Sequence, residues 1–458
     1  MDAKPVSQGC PNCARLEREV AGLKARIETL ERLLEEAGRR GKRQAAPFSK
    51  GTPKKKPKRP GRKPGKGYGE HQRRAVPDPA TVDETHDVPL PDCCPSCRGT
   101  SFGNERVAEQ YQYEIPRKPL VRRFDIHVAE CNACGRRVQG RHDLQTSDAL
   151  GVAAVQLGPD AHAALAVLNK EFGLSHGKSA KLFDRLFGLT IGRSTSVRSV
   201  LRTAKQLEPA AAEIRKAVRG SPQVTCDETG WRIGGGKAWL HVAVTDEATW
   251  YEVARRRDHT VLERLIGLDY SGTLIHDGWS VYDRFDEARH QQCVAHILRR
   301  AREMVKTATR AAAKFPRQVL ALFGRAFALR GMFRRKKIGK RALAGHGLDL
   351  MSELQTLTAH TKRNAANRRF AAHLDRHLGE WFLHLFDPAV EATSNAAERA
   401  LRPAVVNRKV WGGNRTETGA RAQSVLTSVI ATCHQMSRDA LDYLSQTQRT
   451  PQAVPLLG

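Results

Sequence analysis

Three carboxylates from the middle of this 458-residue chain onward stand where phosphoryl-transfer chemistry needs acids. Asp227 closes the short apolar run in PQVTCDETGW, and Asp277 closes another in GTLIHDGWSVYDRF, 50 positions later. Each is expected at the end of a β-strand, where loops carry function. Glu398, in TSNAAERALRP, is expected on a helix capped by Ser394 or Asn395. Two-metal transfer needs a few acids close enough to bridge ions about 4 Å apart, one ion serving the attacking oxygen and the other the leaving 3′ oxygen. Two strand-end aspartates supply the bridge and one flank, and a helix beside the sheet supplies the third acid. Plainer readings exist: turn acids at strand ends, or Glu398 as the Glu of a capping box. Glu228 and Glu391 are fallback candidates.

A second set of reactive residues is sulfur. Ten cysteines include three Cys-x-x-Cys pairs. Without an apolar leader in MDAKPVSQGCPNC, such pairs read as metal sites in a reducing cytoplasm rather than as disulfides. Cys94 and Cys97 with Cys131 and Cys134 supply four thiolates, enough for a closed, structural zinc site that does not activate water. The segment between them alternates like strands (Tyr111, Tyr113, Ile115; Phe124, Ile126, Val128), which predicts a zinc ribbon. Cys93 is a substitute for Cys94. Cys10 and Cys13 form a lone pair that needs ligands from elsewhere, such as its copy across a dimer. Cys293-x-x-His296 offers only two ligands and reads better as a buried cysteine and a helix-start histidine.

The elements that must position the acids follow a definite order. PQVTCDETGW, KAWLHVAVTD and TWYEVA read as strands, RDHTVLERLIGL as a helix, GTLIHDGWSVYDRF as a strand followed by a helix, and HQQCVAHILRR as a strand running into a helix. Three strands, helix, strand, helix, strand, helix predicts a ribonuclease-H-like mixed-sheet catalytic domain. Residues 299–341 hold 15 Lys/Arg and one acid, Glu303, among Leu, Phe and Ala at helical spacing. They read as a basic helical insertion lying along DNA, or more plainly as a solvated amphipathic face.

The rest of the chain reads as modules that recognise DNA and assemble. A formal charge of +29 favours a polyanion, nucleic acid first. No apolar run approaches the roughly 18 residues of a membrane span. Leu16, Val20, Leu23, Ile27, Leu30 and Leu34 trace a heptad seam, hence a short coiled coil and a homodimer or higher assembly. Arg39 to Gly69 carries 13 Lys/Arg and no acid, a composition that cannot bury a core; Lys54, Lys55 and Lys56 are its candidate phosphate contacts. LSHGKSAKLFDRLFG followed by LTIGRSTSVRSVLRTA resembles a helix-turn-helix whose second helix is capped by Ser or Thr, although helical packing explains it equally well. The expected organisation is a multidomain α/β chain. It comprises a coiled coil (1–38), a basic disordered linker (39–69), a zinc-ribbon domain (70–150) and a helical, helix-turn-helix-like segment (151–220). The catalytic domain (221–440), with its insertion at about 305–390, and a tail (441–458) complete it.

At these residues the sequence resembles bacterial insertion-sequence transposases of the IS-sixty-six type, within the larger DDE class. The similarity runs along nearly the whole chain and is most specific in DETGWRI with KAWLHVAV, in IHDGWSVYDRF with HQQCVAHILRR, and in NAAERALRPAVVNRKVWGG. The family's three acids fall on Asp227, Asp277 and Glu398. Two departures stand out: Ser394-Asn395 where relatives carry Asn-Asn, and Asp277-Gly278-Trp279 where many carry Asp-Gly-Tyr. The resemblance implies Mg²⁺ or Mn²⁺ on the acids, water and then a 3′ hydroxyl as nucleophile, and no covalent enzyme intermediate. Arg299, Arg300, Arg399, Arg402 and Arg408 are candidate phosphate contacts, the guanidinium fork being suited to that role. Expected partners are DNA (element ends and target) and accessory proteins of the same element, in a bacterial cytoplasm near the nucleoid. The alternatives are a non-catalytic DNA-binding regulator and a ribonuclease-H-like nuclease without strand transfer.

Overall fold

The computed structural model describes residues 76–103, 106–113, 118–151, 155–309, 311–360, 362–450 and 455–457, with residue 115 and eight positions between 19 and 30. They fall into two units, Met1–Pro119 and Leu120–Gly458. In the first unit the described positions between 19 and 30 are helical, and Val20, Leu23, Ile27 and Leu30 of the expected seam are exposed. Leu16, Leu34, the Cys10 pair and the basic stretch with Lys54, Lys55 and Lys56 lie outside the described residues. The strand rhythm expected between the cysteine pairs is realised only beside the second pair. There, β1 (Val128–Glu130) and β2 (Arg137–Gln139) form an antiparallel hairpin. Tyr113 and Ile115 are instead exposed and, like Tyr111, lie outside any strand.

The catalytic-domain order emerges nearly as the periodicity implies. A five-stranded mixed sheet is built from β3 (Gln223–Ile233), β4 (Gly236–Val244), β5 (Thr249–Ala254), β6 (Thr273–His276) and β7 (Arg289–Gln292), laid side by side as β5-β4-β3-β6-β7. β4 pairs antiparallel with β3 and β5, whereas β6 is parallel to β3 and β7 to β6. One element differs: the residues after Asp277 form a single 3₁₀ turn, Ser280–Arg284, not a full helix.

Thirteen described helices accompany the sheet in the second unit. The helices of residues 151–220 are α1 (Pro159–Lys170), α2 (His176–Phe187), α3 (Arg193–Gln206) and α4 (Glu208–Gly220). Ser175 caps α2 and Gly188, at φ 63°, ends it, but α3 starts at Gly192 with no side-chain cap, contrary to the expected Ser or Thr. Nor does the segment stand apart. Ala166, Val200, Ala211, Ile214 and Val218 share one core with Val224 and Cys226 of β3, Trp250 of β5 and Leu274 of β6. After α5 (His259–Ile266) and β7 comes α6 (Val294–Thr307), which opens the insertion. With α7 (Lys314–Arg334), α8 (Lys340–Ala359), α9 (Ala365–Arg376) and the short α10 (Leu383–Phe386) it encloses a second core around Phe323, Phe370, Trp381 and Phe382. Buried Arg330 donates to the carbonyls of His384 and Pro388, tying α7 to the chain that returns to the sheet. On the other face of the sheet, Ala397, Leu401 and Ala404 of α11 (Asn395–Trp411) pack on Trp231, Leu240, Val242 and Tyr251. α12 (Glu417–Gln435) follows, and the stretch expected as a tail contains α13 (Ala440–Arg449), which pairs Arg449 with Asp160 of α1.

The edge strand β5 exposes a row of backbone donors, a liability that α12 removes. The N–H groups of Thr249, Tyr251 and Val253 donate to the hydroxyls of Thr432, Ser428 and Ser424 at 3.1, 2.8 and 2.9 Å. The match is geometric: two residues of strand advance roughly 6.6 Å and four of helix about 6 Å. Ser428→Ala leaves the buried Tyr251 N–H without a partner and is expected to remove about 1–3 kcal/mol of stability in urea unfolding. A change under about 0.5 kcal/mol means that the hydroxyl ladder does not secure this edge.

Candidate active site

Strand register brings the two aspartates together. Gln223, Val224 and Thr225 of β3 face Thr273, Leu274 and Ile275 of β6. Carrying that register two residues further sets Asp277, the first residue past β6, level with Asp227, on neighbouring strands about 4.8 Å apart. Strand alternation then sorts the adjacent acids. Val224 and Cys226 point into the core shared with α3 and α4, whereas Trp231 and Ile233 point to the face covered by α11. Asp227 has the parity of the second set and Glu228 that of the first. Glu228 is 2% exposed and bound by Arg257, whose Nε and Nη2 donate to Oε1 at 2.8 and 2.5 Å. Its Oε2 is buried without a partner.

The loop after β6 is fixed by short-range bonds. Asp277 Oδ1 accepts the Trp279 N–H at 3.0 Å, and Gly278 sits at φ 85°. A Cβ on Gly278 would come within 2.4 Å of Gln292 Oε1, so both conformation and space require glycine. Beneath the loop, the Gly278 N–H donates to His276 Nδ1, His276 Nε2 meets His290 Nδ1 at 3.0 Å, and His290 Nε2 donates to the Phe285 carbonyl. One tautomer of two neutral rings satisfies this chain. His276, His290 and Glu380 are the three metal-binding-type residues whose ligand atoms gather within 4.8 Å among the described residues. Their ring nitrogens are engaged in this chain of bonds, and Glu380 binds Gln292 and His377, so the cluster braces the Asp277 loop.

Glu398 arrives from α11. Ser394 occupies the N-cap position, but its side chain makes no capping bond, and its hydroxyl is buried without a partner. The capping box is therefore not formed. Glu398 instead turns toward α6, with Oε1 3.4 Å from Arg299 Nη2 and 3.9 Å from His296 Nε2. Cys293 joins the two acid-bearing segments: its N–H donates to the His276 carbonyl at 2.7 Å and its Sγ accepts the Ser394 N–H at 3.2 Å. It is thus a buried structural cysteine at the start of α6.

A family model described as transposase IS66 family matches residues 154–422, from just ahead of α1 into α12. The chain belongs to the IS66 transposase family. The match covers α1–α4 together with the sheet and all three acids, in keeping with their shared core. An uncharacterized protein of Sinorhizobium fredii, y4qI, is 27% identical over 301 residues, which are 57% of this chain and 53% of that protein. The alignment thus spans about half the relative's length.

The electrostatics of this site suit a bound cation. Burial pushes Asp227 up to about 6, and the Asp277 and Glu398 charges push the same way against the Glu228 N–H bond. Burial likewise pushes Glu228 up to about 7, helped by Asp277 and opposed by Arg257. No Lys or Arg among the described residues pairs with Asp227 or Asp277. Each keeps Oδ1 on a backbone N–H, which leaves Oδ2 for a ligand. Hard oxygen donors carrying unbalanced charge fit a divalent ion such as Mg²⁺. The three acids do not gather within 4.8 Å of one another, and Glu398 pairs with Arg299; acids that share two ions about 4 Å apart need not converge on one point.

The remaining expected residues are dispersed. Arg299, Arg399 and Arg402 are exposed on α6 and α11, and Arg408 is half-buried beside Gly230. Arg300 stacks on Phe370 at 4.8 Å. The two cysteine pairs are copies of one turn. Cys94 and Cys131 each accept a backbone N–H at their own carbonyl, from Arg98 and Gly135, both at positive φ. In each turn the first thiol is lowered by N–H groups of the residues after it, Cys97 and Ser96 in one and Cys134 and Ala133 in the other. Cysteine pairs held in such turns fit zinc. Cys94 and Cys97 lie in the first unit, Cys131 and Cys134 in the second. Sequence reasoning missed Arg257 and the His276–His290 pair; a histidine beside a strand-end acid was the one available signal.

The raised Asp227 carboxyl predicts a pH dependence. It keeps its proton in the fold at a pH where the unfolded chain has lost it, so it costs stability as pH rises from about 4 through about 6. Metal-free Asp227→Asn is expected to gain on the order of 2 kcal/mol over wild type between pH 4 and 7 in urea unfolding. A constant difference between the two proteins would contradict the crowding of acids described above.

Proposed function

We propose that this transposase cuts and joins DNA with Asp227, Asp277 and Glu398, on a ribonuclease-H-like sheet. The observation that carries the reading is the parallel register that levels the two aspartates, on the sheet face covered by the helix bearing Glu398. Counted from β3, the strands lie in the order 3-2-1-4-5 with the second antiparallel to its neighbours, as in ribonuclease-H-like folds. Asp227, Asp277 and Glu398 would hold Mg²⁺ or Mn²⁺, which would supply the charge that activates the attacking oxygen and stabilises the leaving 3′ oxygen.

The chain's own groups perform the rest. The Glu228 and Trp279 N–H groups hold one oxygen of each aspartate and leave the other for a ligand. Arg299 holds Glu398 until a DNA phosphate competes for the guanidinium. Arg399, Arg402 and Arg408 on α11, Arg300 on α6, the basic insertion and Lys54, Lys55 and Lys56 contact the DNA backbone. Water frees the 3′ hydroxyls at the element's ends, and those hydroxyls then attack target DNA in line, with no covalent enzyme intermediate. The heptad seam from Leu16 to Leu34 assembles a homodimer or higher, with accessory proteins of the same element, in the cytoplasm. No described helix is long and apolar enough to cross a membrane.

The deciding assay is nicking and joining of DNA that carries the element's ends. Wild type is expected to join strands only with Mg²⁺ or Mn²⁺, and Asp277→Asn to lose both steps while still binding DNA. Cleavage without joining by the wild type favours a nuclease; binding without cleavage, unaffected by Asp277→Asn, favours a regulator.

Cys94, Cys97, Cys131 and Cys134 are proposed to hold one structural zinc. Purified protein is then expected to carry about one zinc per chain, and Cys131→Ser to lose most of it in elemental analysis. Full zinc content in that variant overturns the assignment.

A further inference from the structure

Arg257 lies in the loop between β5 and α5 and belongs to no acid triad, yet it contacts both halves of the aspartate pair through their neighbours. Two of its nitrogens donate to Glu228 Oε1. Its guanidinium lies 4.3 Å from the Trp279 ring centroid and 4.9 Å from that of Trp239 on β4. Glu228 and Trp279 are the two residues whose backbone N–H groups hold Asp227 Oδ1 and Asp277 Oδ1, at 2.8 and 3.0 Å. A single side chain therefore grips each residue that orients a catalytic aspartate. The grip is specific in kind: a forked donor for the carboxylate and a flat cation for the indoles, properties that lysine lacks.

We propose that Arg257 is a positioning residue that sets the spacing of Asp227 and Asp277 by clamping Glu228 to Trp279. This rests on the transposase reading above. The β3 end of the clamp is rigid, because Glu228 is buried within a paired strand. The Trp279 end is a loop beyond the end of β6, so the clamp transfers the order of the sheet to the loop. An ion shared by two carboxylates is sensitive to their separation, and residues that orient such ligands typically change metal affinity by roughly 10–100-fold when altered.

The test uses full-length protein and Mn²⁺ as the probe. Manganese binding is followed by the loss of the free-ion electron paramagnetic resonance signal, beside Mg²⁺-dependent nicking and DNA affinity. Arg257→Lys keeps the charge near Glu228, and circular dichroism checks its fold. It is expected to weaken Mn²⁺ binding by roughly tenfold and to shift the Mg²⁺ dependence of nicking to match, with DNA affinity unchanged. Trp279→Ala is expected to weaken Mn²⁺ binding similarly, and the double variant no further than either alone, because both cut the same clamp. Trp279→Tyr retains an aromatic face and is expected to bind Mn²⁺ like wild type. Wild-type Mn²⁺ affinity in folded Arg257→Lys overturns the proposal and leaves the transposase reading intact. Weakened DNA binding with unchanged Mn²⁺ affinity also overturns it and makes Arg257 a phosphate contact. If wild type binds no Mn²⁺ that Asp227→Asn abolishes, the metal site itself fails and the clamp with it.

Discussion

Like charges kept close in a partly buried place are the constraint from which the rest of this structure follows. Asp227, Glu228, Asp277 and Glu398 repel one another, and water is too scarce around the first two to screen them. Left alone, such acids would separate or keep protons. The fold opposes both tendencies with fixed geometry. Parallel pairing of β3 and β6 sets the level of the two aspartates, backbone N–H groups hold one oxygen of each, and arginines on separate elements hold the two glutamates. The guanidiniums go to the glutamates and leave the aspartates without a competing cation.

Rigidity of that kind needs support on every side of the sheet. The helices α3 and α4 fill one face, α11 covers the other, and α12 closes the edge through hydroxyls matched to the strand repeat. The insertion leaves from β7 through α6 and returns by way of buried Arg330, enclosing its own core. Cys293 stands at its exit, bonded to the strand before Asp277 and to the helix start before Glu398. A long basic segment can thus be inserted between the second and third acids without loosening either.

Much of this was legible because the physics is periodic. Alternation in QVTCDETGWRI announces a strand with two faces, and the interval from Asp227 to Asp277 equals the offset of the β3–β6 register. Glycine after Asp277 was explicable only once φ and the neighbouring Gln292 were known. The ribbon-like alternation around Tyr111 misled, since a pattern without a partner surface does not make a strand. For the helices of 151–220 a helix-turn-helix and plain helical packing read alike, because turn chemistry and amphipathicity are local, while the partner of their apolar faces, the sheet, begins at Gln223. Glu228 was only a fallback to Asp227 in the sequence; strand parity separates the two.

The least legible feature is the one with the widest reach. Arg257 stands among three successive arginines, Arg255 to Arg257, ahead of a helix, where composition suggests a solvated turn. Its neighbours show how context assigns the roles: Arg255 pairs with exposed Glu417, and Arg256 lies 3.9 Å from Asp258, both on the surface, where such pairs contribute little. Arg257 differs because Glu228 is buried at its end and two indoles flank it. Removing water from one partner makes the pairing matter, since a buried carboxylate without its cation is costly. The same desolvation that raises Asp227 therefore gives Arg257 its hold on the site. The acids and the clamp that orders them are two consequences of one burial.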